Sequence, residues 1–92
     1  MNNSIEFVEW IDSSFIDAEW TDLDEVKKVD CSTIDSIGFI VNETEKYIVL
    51  SSHISNDISP TVCGTMLIPK VSILHRETLY RSVNELFRIN TE

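Results

Sequence analysis

Residues 36–52 read SIGFIVNETEKYIVLSS. Two apolar runs flank the polar tetrapeptide NETE, the pattern of two strands joined by a tight reversal. Residues 36–42 predict one strand, with Ile37, Phe39 and Val41 on one face and Gly38 and Ile40 on the other. Residues 46–55, KYIVLSSHIS, predict the next and are dense in β-branched and aromatic side chains. Gly38 inside the first strand marks a bend, a bulge or a close backbone crossing. A short sheet has to curl sharply to close on itself, so a bend at this point suits a small barrel.

Outward from this hairpin, residues 5–10, IEFVEW, predict an earlier strand. Residues 11–20, IDSSFIDAEW, are broken by Asp and Ser and read as a loop that tucks Phe15, Ile16 and Trp20 inward. Residues 21–29, TDLDEVKKV, predict a short helix. Thr21 is its expected N-cap, acids fill its first turn, Lys27 and Lys28 fill its last, and Leu23 and Val26 face the core. After a polar loop at 55–60, residues 61–69, TVCGTMLIP, predict a further strand containing Gly64 and stopped by Pro69. Residues 70–79 predict a tight turn and a short last strand carrying Ile73 and Leu79. Residues 82–89, SVNELFRI, have apolar residues at helical spacing and a Ser82–Glu85 capping pair.

The expected fold is therefore mainly β: a small five-stranded, strongly bent antiparallel barrel, with a short helix after the first strand and a short C-terminal helix. The 92 residues make a single domain, with a barrel core over about 5–79 and a tail over 80–92. Cys31 and Cys63 are far apart in sequence and read as free thiols of a reducing cytoplasm. The opening MNNSIEFVEW has no basic segment ahead of an apolar one, so no secretory signal is expected. No apolar run approaches the ~20 residues of a membrane span. His53 and His75 lack metal-ligand spacing to each other or to cysteine, so neither a metal nor another cofactor is expected.

Charge is unevenly placed. Residues 1–45 hold twelve acids against Lys27 and Lys28, a net −10, and residues 46–92 hold four acids against five bases, a net +1. Asp17, Glu19, Asp22, Asp24 and Glu25 make an acidic face. It is either a solvated surface that keeps the protein soluble or a surface aimed at a basic partner. Binding to a DNA or RNA backbone is disfavoured, because it needs Lys and Arg to replace counterions.

Candidate binding residues are Trp10, Trp20, Tyr47, His53, Lys70 and Arg76. Trp10 and Trp20 bracket an Asp/Ser-rich loop, where they either anchor a partner or fill the core. Lys70 and Arg76 give the C-terminal half its positive character and suit an anionic ligand or an acidic neighbour. Ser51, Ser52 and His53 with Asp57 do not make a catalytic triad, because Ser52 and His53 point to opposite faces of a strand. They read instead as a surface hydrogen-bonding patch. Cys63 reads as a buried, inert thiol.

The segments VEWIDSSFIDAEW, SIGFIVNETEKYIVLSS and VCGTMLIPKVSI, within residues 8–79, resemble a family of small uncharacterised bacteriophage and prophage proteins. The shared pattern is a Trp followed by Asp-Ser and a second Trp, a Ser-hydrophobic-Gly strand, a Glu-rich turn, an I-V-L strand and an I-P-K step. The chain also resembles Sm-like proteins, with a Gly in a bent strand, an acid-bearing turn and an Ile-rich last strand. That resemblance implies a five-stranded barrel and often a ring-shaped oligomer. It does not imply RNA binding, because TEKYIVL at 44–50 has no Asn after the turn and Cys63 precedes Gly64 where Sm-like proteins carry Arg.

Two functions follow as expectations, neither of them enzymatic. The first is an acidic phage-type interaction protein that binds a host or defence protein in the host cytoplasm. The second is a homo-oligomeric binder that sponges a small nucleotide-like signalling molecule at subunit interfaces, between aromatic rings and Lys70 or Arg76.

Overall fold

The computed structural model describes residues 3–15 and 18–81. Five antiparallel strands form one sheet: β1 (Ile5–Asp12), β2 (Ser32–Glu43), β3 (Tyr47–Ser55), β4 (Thr61–Pro69) and β5 (Ile73–Tyr80). Their order is β4-β3-β2-β1-β5. A four-residue helix, α1 (Leu23–Val26), lies between β1 and β2, and a 3-10 turn (Lys70–Ser72) joins β4 to β5. The strand content, number and antiparallel arrangement match the expectation. The sheet does not close, since β4 and β5 stay at its two ends. The expected helix at 82–89 lies outside the described residues.

The hairpin at 36–52 is the hinge of the architecture. β2 starts four residues earlier than its apolar pattern suggested, because Ser32 to Ile37 pair with β1. The first part of β2, through Phe39, is bonded to β1, whereas Phe39 to Glu43 are bonded to β3. β2 thus serves two layers of the one curled sheet, β1 and β5 in one and β3 and β4 in the other; it changes partner at Phe39, and a bulge follows between Ile40 and Asn42. Gly38 sits at the corner. A Cβ there would stand 2.9 Å from the Ser51 carbonyl oxygen, so the two backbones approach closely only because the position has no side chain. In the NETE turn, the Thr44 hydroxyl accepts hydrogen bonds from the backbone N–H groups of Lys46 (3.1 Å) and Tyr47 (3.2 Å).

The core lies between the two layers. Along β1, Glu6, Val8 and Trp10 alternate inward. Val8 and Trp10 pack with Ile48 and Leu50 of β3 and Ile68 of β4, and Ile34, Ile40 and Ile73 close the rim. Burying each of the larger aliphatic side chains stabilises the fold by about 1.5–3 kcal/mol. Among the described residues no buried side-chain polar atom lacks a partner.

Several local expectations change. Phe15 and Trp20 do not tuck inward; both are exposed, because the core is filled by β1, β3 and β4 side chains, and Ile16 lies outside the described residues. α1 is shorter than 21–29: its N-cap is Asp22, whose carboxylate accepts from the Asp24 N–H at 3.3 Å. Leu23 faces solvent rather than the core. Cys63 is exposed, as is Cys31, because β4 is an edge strand with solvent on its free side. Beyond the Phe39–Ser51 pair, β3 continues with β4 as its only partner among the described residues. The Cα radius of gyration is correspondingly large, 17.6 Å, against about 12 Å for a compact chain of this length.

Candidate functional site

The candidate residues fall into two groups at different places in the fold. The first is the β1–β2 loop, residues 13–31, pinched at its base by the Asp12–Ser32 pair. Its backbone is held locally. The Ser14 hydroxyl donates to the Asp30 carbonyl at 3.2 Å, the Cys31 N–H donates to the Asp30 carboxylate at 2.8 Å, and the Thr21 hydroxyl donates to the Glu19 carbonyl at 3.2 Å. Asp and Thr favour such local bonds over a strand ladder, which is why the segment turns rather than pairs. Around this frame stand the carboxylates of Glu19, Asp22, Asp24 and Glu25, all exposed. Phe15, Trp20 and Leu23 of the same loop are also exposed, Trp20 completely. Asp17, the remaining member of the acidic face, lies outside the described residues. Lys28 touches Glu25 at 3.3 Å with both side chains open to water, an arrangement that adds little stability.

Trp10 belongs to a different environment from Trp20. It is 9% exposed, and its indole N–H donates to the Ser36 hydroxyl at 3.0 Å. It is a core residue.

The second group is a charge cluster where the far end of β2 curls back toward β5. Arg76 donates through Nε and Nη2 to both Glu6 carboxylate oxygens (2.8 and 2.9 Å) and through Nη1 and Nη2 to both Glu43 oxygens (3.1 and 3.0 Å). Lys70 Nζ reaches Glu43 at 2.8 Å. Lys70 and Arg76 do come together, as an anion site would require, but two carboxylates already match their charge. Glu6 and Glu43 were not singled out from sequence. Glu6 left a readable signal: it shares inward parity with Val8 and Trp10, and a carboxylate on a buried face needs a cation.

Glu43 gives this cluster a pH dependence. Its hydrogen bonds from Arg76, and next from Lys70, lower its pKa from 4.5 to about 2. The unfolded chain therefore binds this proton first as the pH falls. The contribution to stability is full above about 4.5 and is lost between there and about 2. Because the Glu43 side chain is 39% exposed, solvent screening keeps the effect small. Urea denaturation of wild type and Glu43→Gln at a series of pH values checks this. The wild type's advantage should be constant above pH 5 and shrink steadily towards pH 2. A gap that ignores pH would refute the assignment.

The other candidates are scattered. Tyr47 is half-buried at the start of β3, with its backbone N–H bonded to Thr44, and His53 is exposed opposite Cys63. The buried Ser51 hydroxyl lies 2.8 Å from the Cys63 carbonyl oxygen and 3.0 Å from that of His53, and the Ser55 hydroxyl donates to Asp57 at 2.7 Å. These serines donate to backbone carbonyls and a carboxylate. Where β2 and β3 part, Ser36, Ile37, Leu50, Ser51, Ser52, Gly64 and Met66 line a half-open cavity of about 170 Å³. It carries no charged side chain and is smaller than the roughly 300–1,000 Å³ of small-molecule sites. Among the described residues no three His, Cys, Asp or Glu side chains are grouped to hold a metal, and no helix is long and apolar enough to cross a membrane. No family model matches the chain, and no curated protein or solved structure matches it either.

Proposed function

We propose that this chain is a non-enzymatic interaction protein whose β1–β2 loop binds a basic surface on a protein partner. The observation that carries the reading is Trp20, fully exposed in a loop whose Phe15 and Leu23 are also exposed and whose sequence around it carries the exposed carboxylates of Glu19, Asp22, Asp24 and Glu25. Large apolar side chains in water have no folding role, yet buried Trp anchors contribute most to protein interfaces. The surrounding carboxylates would steer a cationic partner and accelerate encounter, without supplying most of the affinity. The resemblance to bacteriophage proteins makes a host or defence protein in the bacterial cytoplasm the natural partner. The bent β2, the close crossing at Gly38 and the five-strand order support an Sm-like reading of the fold. The nucleotide-sponge reading has less support, because Glu6 and Glu43 already occupy Arg76 and Lys70.

The test compares wild type with Trp20→Ala as immobilised bait for host-cell lysate at low and high salt. A partner retained by wild type should be held less tightly at high salt. Trp20→Ala should weaken its binding by about 2 kcal/mol or more, roughly thirtyfold. The same substitution should leave folding stability within about 0.5 kcal/mol of wild type, since the ring contributes no burial. Equal retention by both baits would refute the reading, as would a nucleotide that raises the melting temperature of the protein.

A further inference from the structure

Among the described residues β4 is a sheet edge with few of the usual protections, Pro69 at its end being the exception. Such edges are normally blunted by charges, by bulges or by a covering element, because their free N–H and C=O groups template pairing with another strand. Residues Thr61–Pro69, TVCGTMLIP, contain no charge, and all but Ile68 are exposed. The register with β3 is unshifted along its whole length, although Gly64 takes a left-handed φ of 67°. The opposite edge differs. β5 carries His75, Arg76 and Glu77, and its register with β1 shifts twice. The unprotected edge is therefore matched by itself rather than by the other end of the sheet.

We propose that two copies of this chain join through β4, antiparallel, about a twofold axis at Thr65. Full overlap of Thr61–Pro69 with itself sets Thr65 opposite Thr65 of the second copy. In that register Met66 faces Gly64 of the second copy, so a long side chain meets a position with none. Val62 faces Ile68 and Leu67 faces Cys63, which brings the half-open side chains of Val62 and Leu67 against a neighbour, while Ile68 is already buried in its own chain. Thr–Thr and aliphatic cross-strand pairs of this kind are favourable.

Charge and support favour the same partner. Each copy carries −9, which opposes association, but the acids concentrate in residues 1–45. From Lys46 to Leu74 the charged residues are Lys46, Asp57 and Lys70, so two copies repel least along β4. Among the described residues the β3–β4 arm beyond Ser51 has no third strand, and a two-stranded ribbon is marginally stable alone. A second β4 supplies the missing neighbour. An isologous contact of this kind closes at two copies, unlike a head-to-tail one.

Light scattering of the purified full chain tests the proposal against its 10.6 kDa subunit mass. The wild type should run at twice that mass. Thr65→Lys places two like charges opposite each other at the axis and should halve the mass while keeping the β-rich circular dichroism spectrum. A second variant guards against misfolding. Thr65→Cys, with Cys31→Ser and Cys63→Ser, should form an intermolecular disulfide under mild oxidation, because Cα atoms opposite one another in an antiparallel pair lie about 4.5–5.5 Å apart. A monomer at every concentration, a larger assembly, or a dimer that survives Thr65→Lys without the Thr65→Cys cross-link would overturn it.

Discussion

A Trp10→Ala variant is expected to lose about 3–5 kcal/mol of folding stability. A domain of this length has roughly 5–14 kcal/mol in total. The loss follows from position. Trp10 is the largest side chain of a core that has five buried apolar members among the described residues, and it packs from β1 against the β3–β4 layer. Truncation leaves a cavity that the two layers fill only by sliding, which the β2 corner at Gly38 resists. It also removes the indole donor to Ser36. Trp10→Phe keeps most of the apolar area and should cost less, about 1–2 kcal/mol, chiefly through that lost hydrogen bond. Urea titration followed by circular dichroism measures both. Fluorescence adds an independent check: in the wild type a shielded emitter, Trp10, should coexist with one open to collisional quenchers, Trp20. A destabilisation by Trp10→Ala below about 1 kcal/mol would mean that the indole does not fill the core as described.

Arg76→Met should be the other severe change, costing about 3 kcal/mol. Glu6 is 6% exposed, and Arg76 is its bidentate partner. Removing the guanidinium strands a carboxylate in a site that water barely reaches, and the penalty is the desolvation of that charge rather than the loss of an attraction. Glu43 suffers less, because it is more exposed and keeps Lys70. The sharper expectation concerns the double variant. Glu6→Leu with Arg76→Met removes both charges and should recover most of the loss, since a buried ion pair is often replaceable by apolar side chains. Denaturation midpoints of the two singles and the double give the coupling. If the double is as unstable as the sum of the singles, the pair is not an isolated buried contact and this account of Arg76 fails.

Much of the fold was legible in the sequence. The hairpin, the later strands and the turn at Pro69–Lys70 follow from period-two patterns and breakers, which act locally. Gly38 was legible as a bend, a bulge or a close crossing, and the structure shows the close approach to Ser51. The start of β2 was not. Ser32, Thr33 and Asp35 look like loop residues, and they become strand because β1 presents a ladder to them. The acidic loop was visible in composition, whereas the direction of its aromatic rings was not. Trp10 lies in a strand with a period that assigns it a face, and Trp20 lies in a segment with no period at all. The cluster at Arg76 escaped for a related reason. It joins residues 6, 43 and 76, which no spacing rule connects.

What the sequence determined by itself is therefore the set of strands, their antiparallel succession and the uneven placement of charge. Those properties depend on alternation, turn chemistry and composition, each of which acts over a few residues. Only the tertiary structure decided that the sheet stays open, that β2 serves two layers, that Trp10 is buried while Trp20 stands in water, and that Arg76 is held between two carboxylates. Those outcomes depend on which distant backbones meet, and that is set by the packing of the whole core rather than by any neighbourhood in the chain.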